Sequence, residues 1–202
     1  MLSGIHNANS KTPKNLYRYS LQVVPAGEMA AVLGEEKTKF SAEYPQHRGN
    51  GCPPVVTIGE FHAREEMEET IIRWLQRITG EQKSFGVTLN NFSGSPMHSV
   101  FIRIQDAGPI RELITQLEPI DEYVQGYDCP PVHFMRQPHV AIAENLREGL
   151  YVQAIADYAR RDFHGTFEVN ELMLVRCGVE DHSPQRRAVL RLQPLALASK
   201  AS

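Results

Sequence analysis

The chain has 202 residues, 42% of them hydrophobic and 22% charged, enough for one medium domain or two small lobes with a sizeable core. A formal net charge of −3 supplies no global basic field, so any contact with nucleic acid is expected to be local, in a cleft, and no pull toward a membrane surface is expected. Cys52, Cys129 and Cys177 are scattered, with no Cys-x-x-Cys pair and no zinc framework, which makes a reducing, cytoplasmic setting the expectation. No apolar run approaches the roughly 18 residues of a membrane span, and the N-terminus lacks a signal-peptide core. Met1 to Lys14 and Leu197 to Ser202 are polar or small and are expected to be loosely held.

Leu16 to Val24 alternates and is rich in β-formers, so it reads as a strand stopped by Pro25-Ala26-Gly27. Glu28 to Glu43 reads as a helix that ends before Pro45, and His47 to Cys52 as a loop. Val55 to Ile58 is a short buried strand. Met67, Ile71, Trp74, Leu75 and Ile78 fall on one face of an amphipathic helix, with Glu65 to Glu69 as its solvated acidic start and Gly80 as its stop. Phe85 to Phe92 and Ser99 to Ile104 are strands around a Gly94-Ser95-Pro96 turn. Ile110 to Leu117 marks a short helix closed by Pro119, and Ile120 to Met135 a long connection. His139 to Ile142 is a further strand, and Arg147 to Arg161 a helix with Tyr151, Ile155, Tyr158 and Ala159 inward. Phe167 to Val175 reads as one strand, Gly178 to Pro184 as a hairpin loop, and Arg187 to Leu192 as the last strand.

The second half repeats the first. Pro54-Val55-Val56-Thr57-Ile58 lies 84 positions before Pro138-His139-Val140-Ala141-Ile142. At the same offset Met67, Ile71, Trp74 and Leu75 fall on Tyr151, Ile155, Tyr158 and Ala159. Leu89-Asn90 matches Val169-Asn170 at an offset of 80, and Ala26-Gly27 matches Ala107-Gly108. A repeat carried by residue type at a near-constant spacing predicts a duplicated architecture. The expected fold is α+β and bilobal: two antiparallel-sheet lobes, helices packed outside, and the two motif strands lining a central cleft. The lobes are expected to cover about 16–95 and about 98–193 of a single bilobal domain, with exchange of strands between them left open.

A strand of the form Pro-His-x-Thr-hydrophobic, present twice in a chain of this length, resembles the 2H phosphoesterase superfamily, in particular its bacterial 2′-5′ RNA ligase and RNA 2′,3′-cyclic phosphodiesterase branch. The resemblance spans Leu16 to Leu192 and includes the strand Phe167 to Arg176 after the second motif. It implies two histidines flanking a phosphodiester, one as general base and one as general acid, a pairing suited to a side chain that titrates near neutrality. It also implies a hydroxyl two residues after each histidine, on the same face of its strand, that donates to a phosphate oxygen. No metal and no other cofactor is implied. The implied ligand is an RNA end or a small phosphorylated nucleotide.

Both motifs depart from that pattern. Val55 stands where the first histidine belongs, and Ala141 where the second hydroxyl belongs. Residue by residue, the implied catalytic roles pass only to His139 and Thr57. His62, His98 and His133 are alternative imidazoles, each more plainly read as a solvated loop residue. His133, nearest the surviving motif, and the guanidinium forks of Arg136 and Arg176 are candidate contacts to the ligand's phosphate. Three readings therefore stand: an enzyme of this class with weakened or redirected activity, a nucleotide- or phosphate-binding protein without turnover, or a protein that keeps only the fold.

Overall fold

The computed structural model describes residues 16–47, 53–95, 98–177 and 184–195. Among these residues nine strands form one antiparallel sheet: β1 (Leu16–Val23), β2 (Val56–Arg64), β3 (Phe85–Ser95), β4 (Ser99–Ile104), β5 (His133–Phe134), β6 (His139–Ala143), β7 (His164–Val169), β8 (Glu171–Cys177) and β9 (Pro184–Arg191). Five helices accompany them: α1 (Gly27–Glu43), α2 (Glu68–Glu81), α3 (Gly108–Leu117), α4 (Pro119–Gln125) and α5 (Glu148–Tyr158). The expected α+β class and duplicated plan are the ones observed. No helix among the described residues is long and apolar enough to cross a membrane.

The strand order is β7-β3-β4-β6-β2-β1-β8-β9, with β5 paired to β2 off this path. The two motif strands, β6 and β2, are therefore neighbours at the middle, with three further strands on each side. The order is symmetric about that junction but not sequential. β3 ends the first half of the chain yet pairs with β4 and β7, while β8 belongs to the second half yet pairs with β1. The helices follow the same exchange: α1 packs on β6 and β7, and α2 on β9.

Burial alternates along each central strand, as a period of two requires. Val56 and Ile58, Val140 and Ile142, and Val100 and Ile102 face the helices and are buried. Each such side chain contributes roughly 1.5–3 kcal/mol on leaving water. Their alternate neighbours, Val55, Thr57, His139, Ala141 and Phe101, are half-buried and point to the opposite face, where the cleft lies.

Several local expectations are corrected. Pro119 opens a second helix, α4, rather than only closing α3, since proline suits a first helical turn, where no N–H partner is needed. The long 120–135 connection is thus α4 followed by β5. Phe167 to Val175 is two strands, because Asn170 interrupts them so that β7 pairs with β3 and β8 with β1 and β9. β2 continues to Arg64, which puts His62 on a strand and not in a loop. Trp74 is 40% exposed, and Thr79 shares the buried face of α2 with Ile71 and Leu75. Ala159 is exposed, with Ala154 buried in its place. Ser95 belongs to β3, while Pro96, Cys52 and residues 178–183 of the expected hairpin loop lie outside the described residues, as do both termini.

Glu68 corrects the solvated reading of the Glu65 to Glu69 run. It is only 7% exposed and is held by Tyr19, Arg176 and Arg187. Burial opposes its ionisation, but hydrogen bonds from Arg187 and Tyr19 and the charges of both arginines outweigh that and hold the carboxyl below its usual range.

Candidate functional site

The geometry of the site follows from strand register. Val56 pairs with Val140 across β2 and β6. One residue to either side, antiparallel pairing sets Thr57 opposite His139 and Val55 opposite Ala141. Across the other edge of β6, His139 pairs with Arg103, Val140 with Ile102 and Ala141 with Phe101. Directly paired residues share a face. Three strands therefore present three rows. The middle row, Val56–Val140–Ile102, is fully buried against the helices. The outer two face the cleft: Thr57–His139–Arg103, which is polar, and Val55–Ala141–Phe101, which is apolar.

The two departures from the motif pattern thus occupy one place. In sequence they look like two separate losses, a histidine from one motif and a hydroxyl from the other. In the sheet Val55 and Ala141 are cross-strand partners, so one whole histidine–hydroxyl row is apolar and the other whole row, His139 with Thr57, is intact. A central cleft of about 90 Å³ is lined by all four positions together with Met135, Lys37 and Glu144.

His139 is oriented by its neighbours. Its Nδ1–H donates to the backbone carbonyl of Gln137 at 2.9 Å, since a carbonyl oxygen can only accept. Nε2 is then the nitrogen through which the ring can take or give a proton. The ring lies against Phe101, centroids 4.4 Å apart, which fixes its plane. Buried Pro138 precedes it and holds the start of β6 in an extended conformation. The hydroxyl of Thr57 makes no hydrogen bond to any described residue and is available to a ligand.

The other expected residues separate. Arg136 is exposed and lines a groove shared with His139, Arg103 and Arg111. His133 lies on β5, paired with Glu60 of β2, and lines the continuation of that groove rather than the central cleft. Arg176 lies on β8, away from β6. Its Nη1 bonds Glu65 at 3.1 Å and Glu68 at 3.2 Å, and its guanidinium lies over the Tyr17 ring at 4.3 Å. That side chain braces β8 against the start of α2. His98 stacks on Tyr151 at the β4 end near α5. Among the described residues no group of three His, Cys, Asp or Glu side chains could hold a metal ion.

Arg103 and Arg111 are the residues that sequence reasoning missed. The alternation of Ser99 to Ile104 does place Phe101 and Arg103 on one face, opposite Val100 and Ile102. What it does not reveal is that β4 neighbours β6, and that pairing alone sets Arg103 beside His139.

No family model matches the chain, and no curated protein matches it in sequence. Solved structures do match its fold. Escherichia coli LigT, in a crystal structure complexed with 3′-AMP, superposes with a TM-score of 0.64 at 14% identity, over 88% of this chain and 98% of that one. TT0787 of Thermus thermophilus gives 0.57 at 20% identity over 88% and 98%. A structure described as a phosphoesterase gives 0.60 at 14% identity, again over 88% and 98%. The fold implied by the resemblance to 2H phosphoesterases is the fold this chain has.

Proposed function

We propose that this chain is a 2H phosphoesterase-type protein of the 2′-5′ RNA ligase-like branch, and that its cleft holds a phosphorylated nucleotide or RNA end on one surviving histidine–hydroxyl row. The observation that carries this is the meeting of Thr57 and His139, 82 positions apart in sequence, on one face of adjacent strands in one cleft. The retained pair is complementary in role. Thr57 can donate to a non-bridging phosphate oxygen, and Nε2 of His139 can exchange a proton with a bridging oxygen or an attacking water. LigT of the same fold has been crystallised with 3′-AMP, ATP, phosphate and NADP+, which supports a phosphorylated nucleotide as the ligand class here.

The apolar row sets the chemistry. Valine and alanine neither transfer a proton nor donate to phosphate, so base and acid cannot act together across the scissile bond. A positioned acid or base is worth roughly 10²–10⁴-fold in rate. Turnover of a 2′,3′-cyclic phosphate is therefore slow and depends on His139 alone. The test is hydrolysis of an oligonucleotide ending in a 2′,3′-cyclic phosphate, wild type against His139→Ala. Slow turnover abolished by the substitution supports the reading. Equal background rates in the two proteins would sink the catalytic part and leave a binding protein.

A further inference from the structure

A second feature of the cleft is not part of either motif. From His139 a groove of about 390 Å³ runs along the end of β4 and the start of α3, lined by Arg103, Arg111 and Arg136. It continues, through Arg111 and Arg136, into an open groove of about 820 Å³ beside β5 that Phe134 and His133 also line. None of the three arginines forms an ion pair with a described residue, whereas Arg160, Arg161, Arg176 and Arg187 all do. The groove's carboxylates are Asp106 and Glu118, and Asp106 is engaged with the backbone N–H of Gly108 at 2.8 Å. Arg103 is anchored through Nε to the Asn90 carbonyl at 3.3 Å, which leaves its two terminal nitrogens for a ligand. On a chain of net charge −3, this is a local concentration of positive charge placed against the reacting end of the site.

We infer that Arg103, Arg111 and Arg136 form a second phosphate subsite, which takes the next phosphodiester groups of a single-stranded oligonucleotide whose terminal phosphate lies at Thr57 and His139. The assignment of the first phosphate rests on the function proposed above. Continuity of the groove favours a strand over a compact anion. Arg103, Arg111 and Arg136 line one groove with His139, and Arg111 and Arg136 also line the groove that continues beside β5, so the cationic lining extends past the place of a single terminal phosphate. Guanidinium forks match phosphate oxygens, and their position beside His139 selects ligands that continue past the terminal nucleotide.

The test compares a nucleoside 3′-monophosphate with a trinucleotide bearing the same 3′-phosphate, by fluorescence anisotropy or calorimetry over a range of salt concentrations. The trinucleotide is expected to bind at least about tenfold more tightly, and each arginine–phosphate contact adds about 0.7 to the slope of log affinity against log salt. Arg103→Gln and Arg111→Gln, both on exposed side chains, should each shrink the ratio of the two affinities. Equal affinities and equal salt slopes for the two ligands would overturn the second subsite and leave the phosphate site at Thr57 standing. Competition by an oligoglutamate as effective as by the trinucleotide would overturn the strand assignment in favour of a general anion surface. Absence of binding by both nucleotides would remove the proposed function and this subsite together.

Discussion

A histidine whose Nδ1 proton is held by a backbone carbonyl exchanges protons only through Nε2, so His139 can serve one side of a phosphodiester but not both. A lone base assists attack and leaves departure unassisted. Diesters with an acidic leaving group, such as a nitrophenolate, should therefore be turned over far better than those that must expel a ribose alkoxide. A plot of log rate against leaving-group pKa should be steep for the wild type. Restoring the second row with Val55→His and Ala141→Thr should flatten it and raise cyclic-phosphate turnover roughly 10²-fold, because a positioned acid is supplied. Equal slopes in the two proteins would show that the apolar row is not what limits the chemistry. The restoration is sterically reasonable, since both positions are half-buried on the cleft face and neither packs in the core.

At the scale of elements, the ionic knot around Glu68 ties α2 to β1, β8 and β9. Tyr19 donates to its carboxylate at 2.9 Å, Arg176 reaches it at 3.2 Å and Arg187 Nε at 2.9 Å. Removing the carboxylate strands two guanidinium groups, so Glu68→Ala should cost about 3 kcal/mol, the low end for a broken buried pair because Arg187 keeps part of its side chain in solvent. The pH sense follows from the direction of the shift. The folded carboxyl lies below its unfolded value, so its stabilisation is fully present above the unfolded carboxylate range and is lost as pH falls through the folded value. Chemical denaturation at neutral and acid pH should therefore show a gap between wild type and Glu68→Ala that closes on acidification; a pH-independent gap would contradict this.

These elements also show what could be read before folding. Periodicity identifies strands and helices because burial imposes it locally, and the 84-residue offset reveals the duplication. Asn170 and Pro119 escaped because a break between two extended segments and a restart of a helix leave the hydrophobic pattern almost unchanged. Glu68 escaped because its partners lie 49 to 119 positions away in sequence. The candidate site was half legible. His139 and Thr57 follow from the motif, but the rows require strand order, which no single strand encodes. Arg176 illustrates the converse: its place at the end of a strand suggested a ligand contact, while its geometry commits it to Glu65, Glu68 and Tyr17.

For the whole molecule, duplication with exchange of strands has a folding consequence. β3 completes the sheet around β4, β6 and β7, and β8 with β9 completes the sheet around β1 and β2. A fragment of residues 16–95 would leave β3 without its partners and β1 with one open edge. It should show no cooperative thermal transition by circular dichroism, while the full chain unfolds in one. A cooperatively folding fragment would mean that each sequence half is an independent lobe. The same exchange holds the site together, since the polar row draws Thr57 from one half and His139 and Arg103 from the other, and any separation of the halves dismantles it.

Thr57 and His139 are proposed to form one phosphate-binding row. Calorimetric titration of 2′- and 3′-nucleotides into the wild type, Thr57→Val and His139→Ala tests it most directly. Saturable binding in the wild type, weakened about tenfold or more by either substitution with folding intact, is the expected result, in keeping with the strength of hydrogen bonds to a charged group. No heat at millimolar nucleotide in the wild type, or binding indifferent to both substitutions, would contradict it.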